Sequence, residues 1–389
     1  MCLASYSLSL LFERNELLEL PLSKNNFNSF LCQVKIIRYP TTTDRSLKAW
    51  SAADEFLLDQ VLDQNLSKKK IITYNDRFGY LNCQLHQSDV LSVISYKSQE
   101  KSHKINLENN GLKFDCNRFI NPLSSIDEKV DIALMKVPKS VNLFELYLAQ
   151  IANCIKDEGV VYCSFMTRHF TKQLLSISNT YFEVVEQSLA KKKARVLILK
   201  KKKELKENEL INKLTLSNSE ILRQYYGVFS AKEIDQATQF FIENLQVEEK
   251  TKEVLDLAAG NGVLGYIIQK QLPNCKIHLI DDFYLAVESA KLNLKGEDVY
   301  FHYNDTLKEI EENSIDLVVS NPPFHFEYET NIEISLSLFK DVTYCLKQGG
   351  KFQLVANRHI NYGPHLERIF NKVIRLVHND KFEIYNCIK

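Results

Sequence analysis

The chain has 389 residues, 45% hydrophobic and 25% charged, with a formal net charge of zero. That length exceeds what one core usually organises, so two domains are expected, and the composition excludes a largely disordered chain. No run approaches the roughly 20 apolar residues of a membrane span. The nine cysteines lack Cys-x-x-Cys spacing and have no histidines at zinc-finger spacing, which points away from zinc and toward reduced thiols in the cytoplasm.

Residues 1–30 show no clear element. The opening MCLASYSLSLLFERN has an apolar patch but neither the basic stretch nor the small-residue cleavage site of a signal peptide, so it reads as an extension. QVKIIRY, Gln33 to Tyr39, alternates like a short strand. Ala49 to Leu66 has apolar residues at helical spacing. Lys70–Tyr74 is a buried-type strand closed by Asn75-Asp76-Arg77-Phe78-Gly79. VLSVISY and DIALMKV give further strands, a helix follows from about Leu143 to Asp157, and strands return at Gly159–Tyr162 and Ala194–Lys200. Alternating strands and helices predict a parallel α/β sheet.

The polar stretch Lys200–Ser219 is the expected connection, although LINKLTL within it also reads as a strand. The alternation then repeats. Strands are expected at Glu253–Leu257, Lys276–Asp281, Val299–Tyr303, Ser314–Ser320 and Gly350–Ala356. Helices are expected at Val263–Gln271, Leu285–Leu294 and Ile332–Leu346. This is the doubly wound order, and the halves look like two copies of one architecture. The expected division is 1–30 as an extension, 31–210 as a first domain and 211–389 as a second. Residues 1–210 carry 30 basic and 24 acidic side chains, and residues 211–389 carry 19 and 25. The basic half suits a polyanion, although a difference of this size decides little.

Chemistry concentrates in the second half. In Val254-Leu255-Asp256-Leu257-Ala258-Ala259-Gly260-Asn261-Gly262 a hydrophobic strand enters a small-residue turn and a helix follows, which lets backbone approach a nucleoside. A strand–helix turn without a ligand has the same outline. The spacing Asp-x-x-x-Gly-x-Gly, with no later glycine placed for a pyrophosphate, favours S-adenosylmethionine over a dinucleotide. Asp256 then orients the turn and the amino-acid part of the cofactor. Asp281 ends the next strand about 20 residues on, where a carboxylate takes both ribose hydroxyls. A strand-end aspartate also serves as a helix cap, but the distance from the turn favours the ligand, and Asp281 is taken over Asp282 because it comes first after the strand. Asp305, after the third strand, is placed for the adenine amine by position alone.

Leu317-Val318-Val319-Ser320-Asn321-Pro322-Pro323-Phe324 is the most specific feature. Two prolines stop a hydrophobic strand. An exocyclic amine on a base is a poor nucleophile because its lone pair is delocalised. The Asn321 side-chain carbonyl and the Pro322 backbone carbonyl can accept its hydrogens and stabilise positive charge as it forms. Pro323 stiffens the turn and Phe324 stacks on the base. A plain Asn-Pro-Pro turn is the alternative.

These motifs resemble the bacterial ribosomal RNA guanine-N2 methyltransferases with two class I methyltransferase-like domains. The 23S rRNA (large-subunit) branch is more similar than the 16S branch, and the likeness runs from about Val34 to the C-terminus. Gly227-Val228-Phe229-Ser230 with Ile234-Asp235 resembles the segment that closes over the cofactor, which assigns Phe229 and Ser230 to it. Asp256 to Gly262 resembles the cofactor loop, with Ala258 where the family usually has its first glycine; Ala237 replaces another glycine. Ala356-Asn357-Arg358-His359 resembles a large-subunit stretch, without a catalytic role for Arg358 or His359. In the first domain Leu47–Glu55, Asn75–Gly79 and Lys136-Val137-Pro138-Lys139 match the same branch. There Arg77 and Phe78 fill the glycine turn and Lys136–Lys139 replaces the Asn-Pro-Pro-Phe position.

The resemblance implies two tandem Rossmann-like methyltransferase domains in an α/β fold. The first is degenerate and helps hold RNA, with Lys191–Lys193, Arg195 and Lys200–Lys203 as a phosphate-facing surface or a merely solvated one. The second methylates the N2 amine of a guanine in 23S rRNA, naked or in an assembly particle. A cytoplasmic monomer without metal or membrane is expected. The competing readings are a 16S enzyme, a methyltransferase for adenine N6 or a protein glutamine, and a non-catalytic ribosome-assembly factor.

Overall fold

The computed structural model describes residues 34–389 apart from 63, 205–207, 323–324, 327–328 and 331. The first half runs α1 (Ala52–Asp59), β1 (Lys70–Tyr74), α2 (Tyr80–Gln84), β2 (Asp89–Val93), α3 (Lys97–Asn109), β3 (Phe119–Ile120), β4 (Val130–Lys136), α4 (Val141–Cys154), β5 (Ile155–Met166), α5 (Lys172–Tyr181), β6 (Phe182–Gln187) and β7 (Ala194–Lys202). A hairpin, β8 (Ile211–Thr215) with β9 (Ile221–Tyr225), leads to the second half. That half runs α6 (Gln236–Asn244), β10 (Glu253–Leu257), α7 (Val263–Gln271), β11 (Lys276–Asp281), α8 (Tyr284–Asn293), β12 (Val299–Tyr303) and β13 (Ile315–Ser320). After it come the short pair β14 (His325–Phe326) and β15 (Glu329–Thr330), then α9 (Glu333–Cys345), β16 (Leu346–Asn357), α10 (Gly363–Leu366), β17 (Lys372–His378) and β18 (Phe382–Ile388).

The two seven-stranded sheets have the same topology, β3-β2-β1-β4-β5-β7-β6 and β12-β11-β10-β13-β16-β18-β17. Five parallel strands are followed by an antiparallel pair in each. The duplication read from the sequence is therefore an identity of strand order. Strands such as EVLDL are buried on both faces, as a sheet covered by helices requires. Leu255 and Leu257 pack on Phe339 and Phe352, and Val254 packs on Phe241 and Ile268 on the other face. No helix among the described residues is long and apolar enough to cross a membrane.

Several expectations are corrected. Gln33 of the expected strand lies outside the described residues, and Lys35–Tyr39 joins no sheet. Its backbone pairs instead with the side-chain amides of Asn106 in α3 and of Asn110, which caps the end of that helix. Asn110 bonds both polar groups of Lys35 (2.9 and 3.0 Å), and Asn106 both of Ile37 (2.9 and 2.8 Å). The helix expected over Ala49–Leu66 covers only Ala52–Asp59. Ser51 and Asp54 form a capping box that fixes its start, and Val61 continues the apolar spacing as a buried turn residue. LINKLTL, by contrast, does supply a strand within the connection, β8 of the hairpin. Both sheets also end in an antiparallel strand pair that the sequence pattern did not announce in full.

Residues 35–389 form one compact unit. Phe283, Leu285 and Ala286 of the second half sit in one hydrophobic cluster with Tyr74, Phe144 and Tyr147 of the first. Asp282 caps the start of α3: its carboxylate accepts from Ser98 N at 2.7 Å and from the Ser98 hydroxyl.

Candidate active site

The second sheet presents its candidate residues at the carboxyl ends of neighbouring strands. β12, β11, β10 and β13 lie side by side, so Asp305, Asp281, the Ala258–Gly262 turn and Asn321 follow one another along one sheet edge. A crevice at this edge is where doubly wound sheets bind ligands.

The turn needs unusual backbone. Ala258, Gly260 and Gly262 have φ of 58°, 58° and 79°. At Gly262 a Cβ would stand 2.7 Å from Leu294 Cδ1, so α8 packs directly on the turn. At Gly260 a Cβ would meet nothing within 4 Å, so the turn faces open space there. Asp281 ties turn to strand: Oδ2 accepts from Gly260 N at 2.9 Å and Oδ1 from Phe283 N at 2.8 Å. Burial outweighs those two donors and raises its carboxyl to about 6.

Asp256 is fully buried. Its Oδ2 accepts from Gly265 N at 2.9 Å, while Oδ1 has no partner. Burial raises this carboxyl to about 8, with Gly265 opposing and the nearby Asp281 adding to the rise. A buried, unpartnered carboxylate oxygen is costly unless a cationic donor completes it. The methionine ammonium of S-adenosylmethionine is such a donor, and the open space at Gly260 leaves room beside the turn. The residues present therefore fit the cofactor.

Asp305 is less free than expected. It is ion-paired with Lys101 of α3, which also donates to Asn304 Oδ1 at 3.2 Å. Its Oδ2 has no bonded partner. The adjacent aspartates have separate tasks: Asp281 faces the turn, and Asp282 reaches across to the first half.

The segment Gly227–Ser230 is anchored by a residue that no sequence motif marked. Gln224 of β9 is fully buried. Its Nε2 lies 3.2 Å from the carbonyls of Val228, Phe229 and Ser230, and its Oε1 accepts from Asn261 Nδ2 at 2.8 Å. One amide thus joins segment and turn. Asn293 adds bonds to the Asn261 and Arg223 carbonyls (2.8 and 2.9 Å). Ser230 has φ of 63°, and the Phe229 ring is 70% exposed. The sequence held one signal: Gln224 is in phase with buried Leu222 on an alternating strand.

At the end of β13, the Ser320 hydroxyl donates to Leu257 O at 2.7 Å, fixing this strand end to β10. Asn321 Nδ2 donates to Thr238 Oγ1 at 2.9 Å and to Asp235 Oδ2 at 3.3 Å. The amide orientation is thereby set, and Oδ1 has no donor among the described residues. Pro322 is buried. Pro323 and Phe324 lie outside the described residues.

The first half shows what this site becomes when filled. Asn75 and Gly79 take φ of 56° and 77°, matching Ala258 and Gly262 around a turn of equal length. Arg77 stands in the place of Gly260, with its guanidinium against the Phe78 and Tyr96 rings and donating to Ser98 Oγ at 2.7 Å. Gln99, His103 and Asn106 of α3 are buried behind the turn and bond to backbone carbonyls of Asp76 and Phe78. Pairing of Tyr74 with Met135 and of Leu257 with Ser320 puts Lys136 at the register position of Asn321.

Both halves of the chain match known protein families. The RLMG N-terminal domain family matches residues 24–204, and the methyltransferase small domain family matches residues 220–386. Ribosomal RNA large subunit methyltransferase G of Pseudoalteromonas translucida is 30% identical, over 89% of this chain and 93% of that protein. The protein of the same name from Colwellia psychrerythraea is 30% identical over 95% of this chain and 99% of its own. Among solved structures, a 16S rRNA N2 methyltransferase of T. thermophilus in complex with AdoMet and guanosine matches with a TM-score of 0.73. It is 19% identical and covers 92% of this chain and 98% of its own, which shows a shared fold. With both halves matched and relatives aligned along nearly their whole length, the chain belongs to the ribosomal RNA large subunit methyltransferase G family.

Proposed function

We propose that this methyltransferase uses S-adenosylmethionine to methylate the N2 amine of one guanine in 23S rRNA. The cofactor supplies a methyl group on a sulfonium, an electrophile whose transfer depends on alignment. The observation that carries the reading is the fixed Asn321 amide, whose Oδ1 has no donor among the described residues, at the end of the strand beside β10, which carries the unpartnered Asp256 oxygen.

Asp256 takes the cofactor's ammonium. Backbone of Ala258, Gly260 and Gly262 lines its path. Asp281 accepts from the ribose hydroxyls with the lone pairs its two backbone donors leave unused. Asp305 receives the adenine amine on Oδ2, and Phe229 and Ser230 close over the site. Asn321 Oδ1 and the Pro322 carbonyl accept the guanine amine's hydrogens, Pro323 stiffens the turn, and Phe324 stacks on the base. Bulk water takes the released proton, so no dedicated base is required. A paired guanine hides this amine, so the target is unpaired or flipped out.

The same reading makes residues 211–389 the catalytic domain, 31–210 an RNA-holding domain whose own crevice is filled, and 1–30 an extension. The protein acts as a cytoplasmic monomer, without metal, on naked rRNA or an early assembly particle. The large-subunit preference is supported by relatives of that name along nearly the whole chain. Tritium-methyl transfer to 16S and 23S rRNA from cells lacking the gene, followed by nucleoside analysis, tests it. Label in N2-methylguanosine of 23S rRNA alone is expected. Label in 16S rRNA moves the substrate to the small subunit, and label in neither, with cofactor still bound, sinks the rRNA reading.

A further inference from the structure

Asn321 matters only if its oxygen, not its nitrogen, faces the incoming amine. A free asparagine side chain presents either end, because the two ends have nearly the same shape. Something must distinguish them. The first turn of α6 does so with two acceptors. Asp235 is the helix N-cap, and its Oδ2 already takes Ala237 N (3.1 Å) and Thr238 N (3.2 Å). The same oxygen and Thr238 Oγ1 receive the Asn321 Nδ2 hydrogens. An oxygen turned toward this pair would lie against the Asp235 carboxylate, which has no hydrogen to give, and its one available donor, the Thr238 hydroxyl, is already directed at Asp235 Oδ2 at 3.5 Å.

The first half repeats the contact with different chemistry. Thr238 is the third residue of α6, and Asp54 is the third residue of α1. Lys136, at the register position of Asn321, donates to Asp54 Oδ2 at 2.8 Å. In both halves the opening helix receives the side chain at the end of the fourth strand. Its third residue matches the donor, a carboxylate for the ammonium and a hydroxyl for the amide.

We propose that Thr238 and Asp235 are positioning residues for methyl transfer, holding the Asn321 amide so that Oδ1 faces the substrate amine. The proposal rests on the role given to Asn321 above. The negative charge of Asp235 at the nitrogen end also draws the amide hydrogens and leaves more negative charge on Oδ1, where positive charge on the amine must be stabilised. Neither side chain need touch cofactor or substrate.

Three variants test this beside Asn321→Ala. Thr238→Val keeps the shape and removes one acceptor. Asp235→Ser keeps a good N-cap but withdraws the second acceptor. Thr238→Ser restores the hydroxyl. Thr238→Val should lower kcat about 10-fold, and Thr238→Val combined with Asp235→Ser about 100-fold, the scale of a misplaced catalytic group. Cofactor Kd should stay within about twofold, and Thr238→Ser should return kcat to near wild type, as expected for a term felt only in the transition state. If Asn321→Ala abolishes turnover while the double variant keeps wild-type kcat, the positioning role is wrong. A parallel loss of cofactor affinity in the double variant would make the contact merely structural. Full turnover in Asn321→Ala would instead overturn the role of Asn321 itself.

Discussion

Tyr96 and Phe283 stack on one another, ring centroids 4.7 Å apart, and their backbones form an antiparallel bridge. They are equivalent residues, each at the N-cap of the helix after the second strand of its sheet. Around them the bonds are exchanged in kind: Lys97 N donates to Asp282 O at 2.9 Å, and Tyr284 N donates to Ser95 O at 2.8 Å. The halves thus meet as the subunits of a two-fold dimer meet, with one patch serving both sides.

The stack should carry measurable energy. Phe283→Ala is expected to lower stability by about 3 kcal/mol, as for other buried phenylalanines. A double-mutant cycle with Tyr96→Ala should show coupling of about 0.5–1.5 kcal/mol by chemical denaturation. Strict additivity would mean that the rings are neighbours without an energetic link.

Ala258 holds a backbone conformation that suits glycine. Ala258→Gly relieves that strain at some loss of chain entropy, so a net gain of about 0.5–1 kcal/mol is expected. Gly262→Ala should do the reverse, because its Cβ would meet Leu294 at 2.7 Å. Thermal melts of both variants decide; a destabilised Ala258→Gly would mean the alanine methyl makes a contact worth more than the strain.

Stability should fall as pH rises from about 6.5 to about 8 without cofactor. Burial lifts Asp256 to about 8, Asp76 to about 7 and Asp281 to about 6, from a common starting value of 3.8. Between 3.8 and its own folded value each group keeps in the folded chain a proton that the unfolded chain has released, so above about pH 6.5 the fall comes from Asp256 and Asp76 and ends near about pH 8, Asp281 having already ionised. The stabilisation is complete below about 3.8 and lost as pH passes each folded value. The slope is about 1.4 kcal/mol per pH unit for each such proton. His103, lowered to about 4 by burial, acts in the opposite sense but only below its usual 6.5. Saturating S-adenosylmethionine should flatten the dependence, because its ammonium favours ionised Asp256. Denaturation midpoints that are flat across this range without cofactor would remove the case for a protonated Asp256.

Binding and turnover should separate between two carboxyl-edge residues. Asp281→Ala should weaken cofactor binding by about tenfold or more, having removed charged hydrogen bonds. Asn321→Ala should leave cofactor Kd nearly unchanged and cut kcat about 100-fold or more. Calorimetry and single-turnover assays read the two effects. Unchanged affinity in Asp281→Ala would place the ribose ligand elsewhere.

The hairpin lysines of the first half give a salt-dependence test. Lys191 and Lys192 are ion-paired with Asp59 and Glu55 of α1, but all four are partly exposed. Charge reversal of Lys191–Lys193 should weaken rRNA binding and flatten its dependence on salt by about one unit of log–log slope for each phosphate no longer neutralised. If affinity and slope both hold, the lysines are only solvated.

What could be read from the sequence was what needs rare residues at fixed places. Prolines stop β13 at Asn321, and glycines mark the turn after β10, so both stood out. Helix α3 did not, because the residues it buries are mostly polar: Ser98, Gln99, Ser102, His103 and Asn106 carry no apolar period. The Asn106 and Asn110 amides that bind Ile37 and Lys35 act across 69 and 75 positions, and alternation in Gln33–Tyr39 looks the same whether its partner is a strand or a side chain. Gln224 was hidden for a similar reason: its burial depends on a turn far along the chain. The strand β17 has mixed exposure without a period of two, so its pattern gave little to read.

The cap that Asp282 places on α3 joins residues 184 positions apart. During synthesis Ser98 emerges long before its partner. At about 5–20 residues per second, the start of α3 waits roughly 10 to 40 s for the carboxylate that completes it. The first half must therefore hold its shape on the polar network behind its own turn until the second half arrives. A ribosome stalled in that interval would expose the Tyr96 face, leaving a nascent chain with an apolar surface ready to pair with the wrong neighbour.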